Sequence, residues 1–224
     1  MFYDSALFPF TTALEEQWRV VRTELDDLIS TDFMAWPEHS IYGNRGWDTF
    51  GLYAFGQRQK QNCLRCRGTD ELVRKIPGLM MAGFSRLAPG THIKPHRGYE
   101  GYAGHVLRAH LALDVPAGCS IRVLDQTRSW VEGKCLVFDD SFEHEAWNQG
   151  DRPRTVLLLD FLNPLRRRPL ILNPKFTPEL IEFIEREHLP QQGIGQRLLW
   201  HIWKLTNPGL VRAARKSVAK DRPV

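Results

Sequence analysis

Between Met80 and Phe161 the chain breaks into short apolar segments separated by turn residues at near-regular intervals, and no other feature limits its fold as tightly. The punctuation is Pro89-Gly90, Arg97-Gly98, Pro116-Ala117-Gly118, Glu132-Gly133, Asp139-Asp140 and Gly150-Asp151. The segments between them, Met81 to Leu87, Val106 to Leu113, Ser120 to Leu124, Cys135 to Phe138, Phe142 to Trp147 and Thr155 to Phe161, are predicted strands. So many short strands bury their edges most economically as a closed barrel or a double-sheet jelly roll, so the expected class is mainly β. Helices flank it. Leu14, Trp18, Val21, Leu25 and Leu28 recur at helical spacing, and Thr12 with Glu15 reads as a capping box at the start of that helix. A second helix is predicted from Thr69 to Lys75 and a third near Pro178.

The chain has 224 residues, enough for one large domain with an appendage, and 42% of them are hydrophobic, which excludes a wholly disordered chain. The net charge of +4 is unevenly placed. From Leu165 onward there are twelve Lys/Arg and five Asp/Glu, so the last 60 residues carry +7 and residues 1–164 carry −3. The expected organisation is therefore a folded body over 1–164 and a basic helical extension over 165–224, which includes Arg166-Arg167-Arg168. An acidic body argues against a nucleic-acid partner. Trp200, Trp203, Arg212, Arg215, Lys216 and Lys220 are expected to pack their aromatics on the body and solvate their charges. Peripheral contact with anionic lipid is the alternative for this tail. Four cysteines are too few for a disulfide framework, and MFYDSALFPF has neither a basic n-region nor an apolar stretch, so a cytoplasmic protein is expected. Cys63 and Cys66 have the spacing of half a zinc site, but without a second pair they read as two loop thiols.

Two histidines stand at turn-to-strand corners, His96 in Lys-Pro-His-Arg-Gly and His144 in Phe-Asp-Asp-Ser-Phe-Glu-His-Glu. Period-2 alternation puts Phe142, His144 and Ala146 on one face and the acidic neighbours on the other, so His144 points inward. A neutral imidazole aimed into a barrel mouth is a good transition-metal ligand; a hydrogen-bonded core histidine is the simpler reading of either residue alone. Arg108 and His110 share one strand face, and Arg154 faces with Val156 and Leu158. An arginine aimed into an apolar barrel requires an anion, which suggests a site for a small dianionic acid, unless Asp160 or Asp114 pairs with it.

Three segments together resemble the aspartyl/asparaginyl β-hydroxylase family: Phe84 to His96, Glu132-Gly133-Lys134, and Phe138 to Asn148. The resemblance runs from about Leu14 to Pro164, includes Gly46-Trp47 and Leu52-Tyr53, and leaves the basic tail unmatched. It implies a cupin-like double-stranded β-helix, iron(II) and O2 as cofactors and 2-oxoglutarate as cosubstrate. It further implies His96 and His144 as the iron ligands, Arg154 as the anchor of the distal carboxylate of 2-oxoglutarate, Ser85 as its assistant, and Arg108 and His110 as lining of the cosubstrate pocket. Some three extra residues fall within Gly98 to Gly104, where the substrate entrance is expected. Gly98 occupies the position that holds a carboxylate ligand in most non-haem iron oxygenases, and the family resembled also has glycine there.

The implied activity is a dioxygenase that hydroxylates an aliphatic carbon with release of succinate and CO2. An aspartyl, asparaginyl or other amino-acid-type substrate, free, in a peptide or carrier-bound, is the expected one. A membrane-associated lipid acyl hydroxylase, a halogenase using the space beside Gly98, and a non-catalytic cupin-like binding module are the alternatives.

Overall fold

The computed structural model describes residues 1–43, 46–166 and 173–220. Its strands, in chain order, are β1 (Phe2–Tyr3), β2 (Met34–Ala35), β3 (Trp47–Ala54), β4 (Gln57–Arg58), β5 (Leu79–Leu87) and β6 (His92–His96). They continue with β7 (Val106–Asp114), β8 (Cys119–Val123), β9 (Gln126–Arg128), β10 (Cys135–Phe138), β11 (His144–Asn148) and β12 (Arg154–Leu162). The helices are α1 (Phe10–Glu16), α2 (Trp18–Asp26), α3 (Lys60–Arg65), α4 (Arg67–Val73), α5 (Pro178–Phe183), α6 (Ile194–Thr206) and α7 (Pro208–Lys220).

The strands form two antiparallel sheets. The larger runs β1-β10-β7-β12-β5-β3-β2, with β4 on the flank of β3, and the smaller runs β6-β11-β8-β9. Neighbours in space are mostly distant in sequence, as in a double-stranded β-helix. This is the mainly β class expected from the turn punctuation.

Alternation along β7 sorts the molecule into two cores. Leu107, Ala109, Leu111 and Leu113 are fully buried on the outer face of the large sheet, where Leu14, Val21, Leu25, Leu72 and Val73 of the N-terminal helices cover them. Each leucine or valine among them contributes about 1.5–3 kcal/mol when it leaves water. On the inner face Ala112, Leu87 and Val156 meet Ile93, Ile121, Val123 and Ala146 of the small sheet. Arg108 and His110 share that inner face, so their polar ends lie between the sheets.

The N-terminal helix begins earlier than its sequence suggests and is interrupted at Gln17. The capping box at Thr12 does not form, because Glu15 is engaged elsewhere: it accepts from the Cys135 amide at 2.9 Å and from Lys134 Nζ at 2.9 Å. A tertiary contact thus fastens α1 to β10 at the expense of a local cap. Cys63 and Cys66 lie on α3 and at its end, both fully buried, and burial pushes both thiols up to about 12. They behave as core residues.

Residues 173–220 do not hang free of the body. Phe176, Leu180, Ile181, Ile184, Trp200 and Ala214 form a third core, against which Phe55 and Tyr99 of the body pack. The buried carboxylate of Glu38 joins the three parts: Trp36 Nε1 donates to it at 2.9 Å, Thr177 Oγ1 at 2.8 Å, and the Tyr99 hydroxyl donates as well. Thr177 also caps α5. The backbone of the 98–104 segment accepts from Asn173 N and Lys175 N. Trp200 and Trp203 pack on Phe176, and it is Phe176 that meets Phe55 and Tyr99 of the body. Arg167 and Arg168 of the basic run lie outside the described residues.

Candidate active site

His96 and His144 are direct cross-strand partners on β6 and β11, with ring centroids 4.2 Å apart. Simple alternation would not place them so. Ile93 points into the inner core, and His96, three residues on, would point out of it. A register shift between His144 and Ala146 sets Lys94-Pro95 opposite Glu145, and this extra residue turns His96 back inward. Pro95, which has no amide to donate, is well suited to the interrupted ladder.

Each imidazole is held by the carbonyl two residues before it. His96 Nδ1 lies 2.7 Å from Lys94 O, and His144 Nδ1 lies 2.9 Å from Phe142 O. A carbonyl only accepts, so the proton sits on Nδ1 and the lone pair of each Nε2 is free. Burial lowers both pKa values, that of His144 well below the ordinary range, with His96 as its second cause. Two neutral imidazoles with free Nε2 atoms fit a divalent transition metal. Among the described residues no group of three His, Cys, Asp or Glu side chains is arranged to hold one. A metal here would keep positions open for other ligands.

Gly98 has a steric reason to be glycine. A Cβ there would stand 2.5 Å from Asp140 Oδ2 and 2.8 Å from the Ala103 Cβ. The Gly98 amide donates to the Asp140 carbonyl at 2.8 Å, which keeps the two chains close. Asp140 is buried, its Oδ1 has no partner, and burial raises its pKa to about 6. The space beside Gly98 is thus bordered by a carboxylate, a poor neighbour for a halide.

Arg154 is 2% exposed. Its guanidinium carbon lies 4.6 Å from the centroid of the Trp130 ring, and its Nε and Nη1 have no acceptor. Burial lowers its pKa to about 10. Trp130 Nε1 donates to His110 Nδ1 at 3.3 Å, which leaves the proton of the neutral His110 ring on Nε2, itself without a partner. A buried guanidinium with unmet donors is costly, and an anionic oxygen pair satisfies it. The buried polar side-chain atoms without partners among the described residues are Asp140 Oδ1, His110 Nε2 and Arg154 Nε and Nη1, all at this site. Ser85 lies on the neighbouring strand opposite Val156, accepts from Trp47 Nε1 at 3.0 Å and keeps its own proton to give.

Arg108 takes a different part from Arg154. Its Nε and Nη2 bind the two oxygens of Asp160 at 2.7 and 2.9 Å, and Nη2 lies 3.3 Å from Asp140. The pairing with Asp160 weighed from the sequence is the one found, so a single guanidinium remains for an anion. Trp130, Asp140 and Glu38 were not singled out by sequence reasoning. Trp130 sits in a loop with no periodicity to mark it; Asp140 lay inside a quoted motif as one of two adjacent acids.

Arg108 and Ser85 also line a cavity of about 280 Å³. Its floor is the inner face of the large sheet, with Trp47, Gly51, Met81 and Leu158. Leu180, Phe183, Ile184 and His188, from α5 and the turn after it, form the opposite wall. The C-terminal segment thus completes the pocket rather than merely following the domain.

A sequence model of the Aspartyl/Asparaginyl beta-hydroxylase family matches residues 15–164. Among curated proteins the chain is 41% identical over 187 residues to the Ornithine lipid ester-linked acyl 2-hydroxylase of Rhizobium tropici, covering 76% of this chain and 63% of that protein. It is 35% identical over 170 residues to the Aspartyl/asparaginyl beta-hydroxylase of Homo sapiens, covering 70% of this chain and 22% of that protein. The chain thus spans less than two thirds of either relative. Among solved structures a Pseudomonas putida prolyl-4-hydroxylase aligns with a TM-score of 0.45 and 18% identity, over 69% of this chain and 88% of that one. A 2OG-Fe(II) oxygenase family oxidoreductase from Burkholderia pseudomallei aligns with 0.44 and 12%, over 68% and 83%. Because the family model matches well over half of its length, residues 15–164, the chain belongs to the aspartyl/asparaginyl β-hydroxylase family.

Proposed function

We propose that this chain is an iron(II)- and 2-oxoglutarate-dependent oxygenase that hydroxylates an aliphatic carbon of an acyl chain. The observation that carries the cofactor reading is the buried, unpaired fork of Arg154 in the same barrel as two imidazoles whose Nε2 atoms are free. In this reading His96 and His144 hold iron through Nε2. Iron so held supplies dioxygen activation coupled to oxidative decarboxylation of 2-oxoglutarate to succinate and CO2. Arg154 grips the distal carboxylate, the Trp130 ring holds the cation in place, and Ser85 donates from the neighbouring strand. Arg108, held by Asp160, lines the pocket and leaves Arg154 as the guanidinium for the cosubstrate.

The substrate reading rests on the pocket lining. Met34, Trp36, Phe55, Phe84, Leu180 and Phe183 make an apolar slot suited to a hydrocarbon chain. The Rhizobium relative, which bears a lipid acyl hydroxylase name, supports it. An amino-acid-type substrate is the second reading, supported by the human relative and by Gln59 and Asn62 at the polar edge of the slot. Succinate release in the presence of iron(II), ascorbate and 2-oxoglutarate tests the two: stimulation by an acyl lipid and not by aspartyl peptides is expected. Stimulation by the peptides alone removes the acyl reading, and no uptake of iron or 2-oxoglutarate at all would leave a binding module.

A further inference from the structure

Helix α6 divides into three faces. Trp200 and Trp203 stack on each other at 4.6 Å and pack on Phe176 of the third core. At about 100° per residue, Ile194, Leu198, Ile202 and Leu205 fall within an arc of roughly 80° on a different side. Among the described residues that side is largely open to solvent: these residues are 88%, 58%, 49% and 67% exposed, and Leu199 beside them is 60% exposed. Arg197 and His201 lie on the third face, next to the apolar stripe, together with Lys204, which pairs with Glu185 at 2.9 Å. Residues 194–217 contain Arg197, Lys204, Arg212, Arg215 and Lys216 and no Asp or Glu.

Four large aliphatic side chains in line at a solvent boundary are not what a folded surface ordinarily retains. A helix with one apolar stripe, a cationic flank and no acidic residue has the makeup of an interfacial helix, which buries the stripe among acyl chains and sets its cations at the headgroups. The charge decides between occupants. A second copy of this chain would bring the same exposed Arg197, Arg212, Arg215 and Lys216 to the contact, whereas an anionic bilayer neutralises them. No helix among the described residues is long and apolar enough to cross a membrane, so the contact is one of surface docking.

We propose that α6 docks, stripe inward, on an anionic lipid surface. Its location gives the docking a purpose: Trp200 and Trp203 pack beside the segment whose Leu180, Phe183 and Ile184 wall the pocket. A chain held at the bilayer by α6 therefore presents that wall near the lipid. This purpose rests on the acyl reading; the docking itself is measured without turnover.

The test is co-sedimentation of the full chain with vesicles of phosphatidylcholine alone or mixed with phosphatidylglycerol. Binding to the mixed vesicles at least tenfold tighter than to phosphatidylcholine, and weakened by salt, is expected. The double variant Leu198→Glu, Ile202→Glu should lose binding at least tenfold while keeping the circular dichroism and 2-oxoglutarate binding of the wild type. Arg212→Glu with Arg215→Glu should erase the preference for phosphatidylglycerol. Absence of wild-type binding, or binding undiminished in the Leu198/Ile202 variant, overturns the proposal. So does a dimer in solution that the same substitutions dissociate, since a second copy then covers the stripe. Vesicle binding by a chain that hydroxylates only amino-acid substrates upholds the docking and removes the acyl reading.

Discussion

The guanidinium carbon of Arg154 lies over the Trp130 ring, 4.6 Å from its centroid, with Nε and Nη1 left without acceptors. The ring holds the cation in place and leaves these donors to a ligand. Lysine keeps the charge but has neither the plane nor the fork. Arg154→Lys is therefore expected to raise the KM for 2-oxoglutarate at least tenfold, and Trp130→Leu by a smaller factor, in line with about 0.5–2 kcal/mol for a cation over a ring. Steady-state kinetics in 2-oxoglutarate check both; an unchanged KM in Arg154→Lys contradicts the assignment.

Glu38 receives Trp36, Tyr99 and Thr177, and so fastens the C-terminal segment over the pocket. Glu38→Ala leaves three donors unmet at a buried point and should cost about 1–3 kcal/mol. Limited proteolysis is the readout. Cleavage within residues 173–220 should become faster while the β-sheet body survives, and equal cleavage of both would show that no such fastening exists.

The pocket offers a direct way to separate substrates. A Cβ at Gly51 meets nothing within 4 Å, and Gly51 lines the slot, so Gly51→Leu starts from an open position and places its bulk in the slot. The longest acyl chain accepted should shorten, with 2-oxoglutarate binding unaltered. Measured against a series of acyl lengths, an unaltered preference means that the chain does not lie in this slot.

Burial raises Asp140 to about 6, above its ordinary value. The folded protein then holds a proton that the unfolded chain has lost, so this group's contribution is fully present at low pH and declines as pH rises from about 4 through 6. Thermal melts of the metal-free protein across that window should show this decline, and Asp140→Asn should flatten it. An identical slope in the variant assigns the effect to another group.

Much of this architecture was legible in the sequence because turn residues and alternation report directly on strands. Cys135–Phe138 has the bounds expected, and the inner and outer faces of β7 follow from counting by twos. His96 illustrates the limit. Its strand was missed because Lys94-Pro95 breaks the alternation, and the bulge that brings it opposite His144 is a property of the pairing rather than of either strand. Glu15 was read as a local cap because its partners on β10 are more than a hundred residues away. The tail was set apart by its charge, yet its role as a pocket wall depends on Leu180, Phe183 and Ile184, apolar residues that no charge count reveals. At Arg108 and Arg154 the sequence left two outcomes open, and only the position of Asp160 separates them.

In the proposed centre, His96 and His144 bind iron(II) and Arg154 binds 2-oxoglutarate. Anaerobic addition of iron(II) and then 2-oxoglutarate, followed by visible absorption, tests it most directly. The wild type should give the weak charge-transfer band of the chelate, His144→Ala should lose it, and Arg154→Lys should show it only at much higher 2-oxoglutarate. No band in the wild-type protein, or an undiminished one in His144→Ala, contradicts it.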